Sequence, residues 1–251
     1  MTQRASYLAV QTAILAAILT GWEIASRSGA VNAMLLPPFS EVATQMGRML
    51  VSARFLENLG VTALEVVLAS AIVAPIGVLI GLVLAESPYL GAAYRPFFFF
   101  LTGVPKSIFL PIFILIFGIG ISQKVAFGVF QAVFVLVIAT MTAASSVAPE
   151  LVRLAKVSGA TRWQIYREIY WPAMLPIVIE GMRLGVIFNI TGVIFAEMSV
   201  SRAGIGALVA EWGRNFEIAN LIGGILITAL LCIAINESLR WYELRVGKWR
   251  Q

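Results

Sequence analysis

The chain has no histidine and no aspartate, all 13 of its acidic residues being glutamate, and it carries one cysteine. Ser-His-Asp triads, aspartate dyads and His-ligated metal centres are thereby excluded. Cys232 lies in an apolar run, so no intrachain disulfide or thiolate cluster can form, and it reads as a packing residue. Charge is scarce too. Asp, Glu, Lys and Arg together make 12% of the residues, against about 25% in a soluble domain. No low-complexity tail or linker interrupts the chain. A large water-solvated core is not what this composition builds.

What is present is apolar: 60% of the 251 residues are hydrophobic, and the mean hydropathy is +0.91. The 21 glycines and 10 prolines fall largely inside apolar stretches, which bilayer helices tolerate because neighbouring helices re-satisfy freed backbone groups. Six spans of about 20 residues take roughly half the chain and leave no room for a separate catalytic domain. The expectation is one all-α domain, 1–251, a polytopic transmembrane helix bundle of six spans in contact with membrane lipid. The net charge of +5 does not point to nucleic acid, because the basic residues gather near helix ends and not on one face.

The spans are expected at about 5–24, 62–85, 97–117, 125–144, 173–197 and 218–237. The first is too long for the h-region of a signal peptide, and no small-x-small cleavage site follows it. After Leu35-Leu36-Pro37-Pro38-Phe39, Ser40 can cap a short amphipathic helix that runs toward Asn58 and lies on the membrane surface. Gly77 and Gly81, four apart, offer a small face for close helix contact. The third span reads as one kinked helix, broken by Pro105 and Pro111 with Lys106 between them and closed by Gly118-Ile119-Gly120.

Basic residues orient the bundle. With the N-terminus inside, Arg4, Arg95, Arg153, Lys156, Arg162, Arg167, Arg240, Arg245, Lys248 and Arg250 are cytoplasmic. Arg27, Arg48, Arg54, Lys124, Arg202 and Arg214 are outside. The bias puts both termini in the cytoplasm. Trp163, Trp171, Trp241 and Trp249 fit interfacial anchors.

The connection 149–172 does not behave as a plain loop. Pro149 suits a first helical turn, Leu151, Leu154, Ala155 and Ser158 recur at helical spacing, and Gly159 breaks the pattern. Thr161 can cap a second helix whose Ile165 and Ile169 share a face and which stops at Pro172. From physics alone this is a basic platform that either rests on lipid headgroups or docks a soluble partner.

Here the sequence resembles a family. Arg153-Leu154-Ala155, three residues, Gly159, nine residues, then Ile169-Tyr170-Trp171-Pro172 is similar to a degenerate EAA loop of binding-protein-dependent ABC importer permeases. Pro172-Ala173-Met174-Leu175-Pro176, Gly181-Met182-Arg183, Pro105-Lys106-Ser107 with Leu110 to Gly120, Ala196-Glu197-Met198 and Gly204-Ile205-Gly206 resemble the nitrate, sulfonate and taurine-type (type I) branch. Each piece is weak alone; their order and spacing cover nearly the whole chain.

The resemblance implies that the EAA loop is a coupling helix seated in a cleft of a cytoplasmic ATPase dimer, with contacts at Arg153, Ala155, Ser158, Gly159, Ala160, Thr161 and Arg162. It also implies a second permease copy, an extracytoplasmic solute-binding protein and residence in the bacterial cytoplasmic (inner) membrane. No cofactor is expected in this chain; ATP and Mg belong to the partner ATPase, and the permease is non-catalytic. Arg153 replaces the family's usual Glu and Trp171 its usual Leu, so the partner ATPase is expected to match this variant. Glu65 stands where relatives often have a basic residue, and Val135 where many have proline.

Ionisable groups at membrane depth cost about 2.5–3.5 kcal/mol on insertion scales and need a reason. Candidate path residues are Pro105, Lys106, Pro111, Asn189 and Glu197. Lys106, near the midplane, either faces the path and attracts an anion or pairs with a glutamate. Asn189 lines the path or bonds between helices; Glu197 shapes an outer gate or satisfies an interface. Glu180 and Arg183, three apart, are expected to pair. Glu65 is expected to reach water, and Phe97–Phe100 to pack between helices. A stand-alone secondary transporter would need midplane ion sites and commonly shows internal repeats, which are not evident; an intramembrane enzyme lacks its acid–base groups. The cargo the resemblance implies is a small solute, a small organic or inorganic anion or a vitamin precursor, with Lys106 tilting toward an anion.

Overall fold

The computed structural model describes residues 2–246, and among these every regular element is helical. Lys248, Trp249 and Arg250 lie outside the described residues. The long helices are α1 (Thr2–Arg27), α3 (Ala53–Glu86), α6 (Ile121–Ser145), α9 (Trp171–Val200) and α11 (Ile218–Val246), with α2 (Phe39–Val51) and α10 (Ile205–Arg214) shorter. Five helices are long and apolar enough to cross a membrane. Taken together as one broken span, α4 (Pro88–Gly103) and α5 (Leu110–Phe117), joined by a 3-10 turn, Lys106–Phe109, would make a sixth crossing.

The expected third span is therefore not one kinked helix. Its two halves meet at 93°. Val104 is extended at the end of α4 and Pro105 precedes the tight turn. Proline removes a backbone donor and disfavours helix in the residue before it, so the chain turns at Val104-Pro105 instead of bending. Pro111 sits in the first turn of α5, where its missing N–H costs nothing.

Packing centres on α3, α6 and α9. Their closest approaches are glycine positions. A Cβ on Gly77 would strike Leu136 of α6, and one on Gly81 would strike Thr140 and the Val137 carbonyl. Gly128 of α6 lies against Asn189 and Val193 of α9, and Gly192 returns the contact onto Gln131. The small face expected at Gly77 and Gly81 is thus used against α6. With no hydrophobic driving force between helices in lipid, such backbone approach supplies the van der Waals contact that holds them.

Three other local expectations change. Ser40 does not cap α2, which begins one residue earlier; its N–H and hydroxyl instead bond the Glu23 carboxylate of α1 at 3.0 and 2.8 Å. α2 ends at Val51, and Asn58 already belongs to α3. Its apolar side does not rest on lipid alone, because Met46 and Met49 pack with Leu221 and Ile227 of α11. Of the Phe97–Phe100 run only Phe98 packs inward, on Phe134, while the other three are exposed.

Gly81→Ala is expected to destabilise the bundle by about 1–3 kcal/mol through overpacking against Thr140. Gly60→Ala on the same helix, where a Cβ meets nothing within 4 Å, should be neutral or stabilising. Thermal unfolding of the two variants in detergent checks the contrast.

Candidate functional site

The 149–172 connection folds as a rigid, protruding corner. α7 (Pro149–Val157) ends in a Schellman arrangement: Ala160 N–H donates to Ala155 O at 3.0 Å and Gly159 N–H to Lys156 O at 3.1 Å. Gly159 has φ +81°, a left-handed conformation that glycine adopts without penalty. Thr161 then caps α8 (Arg162–Ile165) through a reciprocal capping box with Gln164, at 2.8 and 3.3 Å.

Beyond α8 the structure departs from the sequence reading. The helix does not stop at Pro172. A π-turn, Tyr166–Tyr170, joins α8 to α9, so helical backbone continues from Arg162 to Val200. A proline ring normally collides with the carbonyl four residues back; here that residue is Glu168, inside the wider turn, where the ring finds room.

The corner is seated by apolar contacts. Val152, Ile169 and Tyr170 pack with Ala143 and Val147 near the end of α6 and with Met174 and Val178 of α9. No α7 side chain is fully buried, and Leu154 and Val157 are 65% and 87% exposed. Arg153, Ser158, Gly159, Thr161 and Arg162 are exposed, and Ala155 and Ala160 half-buried, so the structure gathers all seven candidate coupling residues on this corner.

The opposite end of the bundle is tied by polar groups that sequence reasoning did not assemble. The first three N–H groups of the α10 region meet side chains from other helices: Gly204 donates to Asn58 Oδ1 (2.7 Å), Ile205 to Thr62 Oγ1 (2.9 Å) and Gly206 to Glu197 Oε2 (2.8 Å). Thr62 hydroxyl donates to the other Glu197 oxygen at 2.7 Å. Glu197 is fully buried, and its carboxylate fills the space where Gly204, at φ +106°, would carry a Cβ. Its carboxyl group faces the N-terminus of α10, an end where acceptors and anions are favoured. Glu197 thus satisfies the interface of α3, α9 and α10.

Glu65 corrects a further expectation, and Lys124 is buried with it. Neither reaches water; they form an ion pair with side chains 1% and 7% exposed. Lys124 also donates to Ser201 Oγ (3.2 Å) and the Ala203 carbonyl (3.5 Å). The two residues lie on α3 and α6, far apart in the chain, and no local spacing signals the pair. Asn189, also buried, donates to Val66 O and Ser70 Oγ at 2.8 and 2.9 Å, which makes it an interhelical strap between α9 and α3. Arg183 does not pair with Glu180 but with Glu243 of α11 at 3.1 Å, fastening the last helix to α9.

Lys106 is buried at the α4–α5 corner. Its ammonium donates one long bond, 3.5 Å, to Leu101 O and lies 5.8 and 5.7 Å from the ring centroids of Phe134 and Phe188. Pro105 and Pro111 flank it with exposed rings. Cys232 lines an apolar cleft with Val66, Val186 and Ile190, as its apolar run implied.

Glu65→Gln strands the Lys124 charge and is expected to cost about 3–5 kcal/mol, whereas Glu65→Leu combined with Lys124→Met should recover most of the loss. Unfolding midpoints of the wild type, Glu65→Gln, Lys124→Met and the double variant test this.

The chain matches, over residues 73–248, the family described as Binding-protein-dependent transport system inner membrane component. The taurine transport system permease protein of Escherichia coli K12 is 24% identical over 241 residues, covering 94% of this chain and 87% of that one. The putative aliphatic sulfonates transport permease protein of Bacillus subtilis 168 is 26% identical over 236 residues, covering 94% and 85%. The osmoprotectant import permease protein of Salmonella typhimurium LT2 is 32% identical over 189 residues, covering 73% and 85%. Among solved structures, an inward-facing methionine ABC transporter chain superposes with a TM-score of 0.64 at 19% identity, covering 81% of this chain and 98% of that one. A chain of a bacterial ABC transporter involved in alginate import gives 0.62 at 14%, covering 98% and 99%. The helical bundle is thus the fold of these importers, and the likeness to the type I branch agrees with the taurine and sulfonate relatives over most of the chain. The chain belongs to the binding-protein-dependent transport system inner membrane component family, as a multi-pass permease subunit of the type I ABC importer class.

Proposed function

We propose that two copies of this chain enclose a translocation path through which a small solute is imported by alternating access, driven by ATP hydrolysis in a pair of cytoplasmic ATP-binding cassette subunits. One observation carries the reading: α7 presents Leu151, Leu154 and Val157 unburied on a corner that is rigidly capped at both sides of Gly159. An apolar helix face held out from the bundle stabilises the protein only when a partner covers it. The exposed Arg153 and Arg162 beside it add a charge pattern that selects the partner.

In this reading α7 and both termini are cytoplasmic, and Arg153, Lys156, Arg162 and Arg167 satisfy the positive-inside bias. ATP and Mg bind the partner ATPase, and this chain contributes no catalytic group. Closing of the ATPase pair pushes α7, and the continuous helix from Arg162 to Val200 carries the displacement to the far end, where Glu197, Thr62 and α10 meet. That end faces an extracytoplasmic solute-binding protein. The open groove there, about 310 Å³ and lined by Met34, Glu41, Gln45 and Phe216–Asn220, has the mixed polar and apolar character of a docking rim. The relatives named for taurine and aliphatic sulfonates favour a small organic or inorganic anion as cargo, and the relative named for formylaminopyrimidine widens the class to vitamin precursors.

Leu154→Glu is expected to reduce co-purification of the ATPase at least tenfold and to abolish uptake while membrane insertion stays normal, since a desolvated charge at an apolar contact costs more than about 1.4 kcal/mol. Retention of the ATPase at wild-type yield by Leu154→Glu and by Val157→Glu would refute the assignment of α7.

A further inference from the structure

The ion pairs and caps described above account for the other buried charges of the bundle, and leave Lys106. Its side chain is buried, the residue being 6% exposed, and no ion pair reaches it among the described residues. An ammonium has three donors. One is used, on the Leu101 carbonyl at a long 3.5 Å. Beside it Phe134 and Phe188 present ring faces, which favour a cation but accept no conventional hydrogen bond.

The depth of this site follows from the helices that hold it. Phe134 is near the middle of α6, Ile121–Ser145, and Phe188 near the middle of α9, Trp171–Val200. The ammonium therefore sits about half-way along both. The 93° break between α4 and α5 delivers it there from a corner of the chain.

Within the chain, the long-helix carboxylates flanking this depth are engaged elsewhere or lie away from it. Glu65 is spent on Lys124, and Glu197 on Thr62 and Gly206. Glu180 lies eight residues before Phe188, roughly 12 Å away along the axis, and Glu197 nine residues beyond it, roughly 13 Å. An ionisable group inside a membrane span with no protein counter-ion marks a substrate or ion pathway.

We infer that Lys106 is the anion-binding group of the translocation path, and that the cargo is a small solute with a compact anionic head, a sulfonate, carboxylate or comparable group, whose body rests against Phe134 and Phe188. This rests on the permease reading above and narrows it. The anion supplies the acceptors that the ammonium lacks, and the rings exclude water from the contact, which strengthens it. Because one cation meets one anionic head between apolar walls, divalent anions with large hydration shells are disfavoured.

The single native cysteine makes a direct test practicable. In a Cys232→Ala background, Ser107→Cys places one thiol beside Lys106. Full-length chain, with its ATPase, is assayed in membrane vesicles with three methanethiosulfonate reagents: sulfonatoethyl (anionic), trimethylammonioethyl (cationic) and a neutral alkyl reagent. The anionic-to-cationic rate ratio should fall roughly tenfold on Lys106→Gln and be kept by Lys106→Arg, the size expected for one charge about 6 Å from the thiol. Millimolar methanesulfonate should slow the anionic reagent in the Lys106 chain and leave Lys106→Gln unaffected.

If the neutral reagent labels the thiol but the ratio does not move, the anion site is refuted while the importer reading stands on its own ATPase-retention test. If no reagent labels from either side, Lys106 borders no aqueous path, and the inference is again overturned. Should Lys106→Gln fail to insert, methanesulfonate protection of the Lys106 chain decides alone, and its absence contradicts the proposal.

Discussion

Inside a bilayer no water is available to satisfy a polar group, and the end of the bundle remote from α7 is organised around that constraint. Three ionisable side chains, Glu65, Lys124 and Glu197, are buried there together. Lys124 neutralises Glu65 and reaches the 201–203 turn; Glu197 and Thr62 satisfy the first amides of α10. These contacts join α3, α6, α9 and α10 at one point. Each element needs the others, because removing any partner leaves a buried polar group unpaired.

The α7 end is built on the opposite principle. There the same three long helices meet through apolar contacts, Ala143 and Val147 with Met174 and Val178, and Val152, Ile169 and Tyr170 are laid over them. Apolar contacts are non-directional and slide at low cost, whereas the polar cluster has fixed geometry. The two ends are linked by helical backbone of 39 residues from Arg162 to Val200, a contour of roughly 58 Å. In the proposed mechanism, a push at the corner would arrive through this backbone at the hydrogen-bonded cluster of Glu197, Thr62 and α10. Between the ends, at mid-depth, the broken α4–α5 span places the one buried cation that the described residues do not neutralise.

Much of this was legible locally and the rest was not, for identifiable reasons. Span existence followed from hydropathy, and the corner at Gly159 and Thr161 from cap chemistry, since both depend on neighbours in sequence. Pro172 misled because its cost depends on the backbone four residues earlier, and the π-turn at Tyr166–Tyr170 leaves no sequence signature of its own. Pro105 was read as a kink, but the extended Val104 before it turns the chain by 93°. Arg183 had a good helical partner in Glu180 and chose Glu243, because a tertiary contact half-shielded from solvent outweighs an exposed i,i+3 pair. Glu65 with Lys124 joins two helices across tertiary space, which no pattern within either helix encodes. Asn189 and Glu197 were recognised as significant, yet only the structure shows their partners: Asn189 bonds α3, and Glu197 bonds α3 and α10.

The central claim is that α7 receives the motion of an ATP-driven partner and passes it through α9. The most direct measurement is the distance between the two copies of residue 157, spin-labelled as Val157→Cys in the Cys232→Ala background and read by pulsed electron resonance in the assembled complex. The account expects that distance to shorten when ATP and Mg are added to a hydrolysis-deficient ATPase. An unchanged distance with nucleotide demonstrably bound would contradict it.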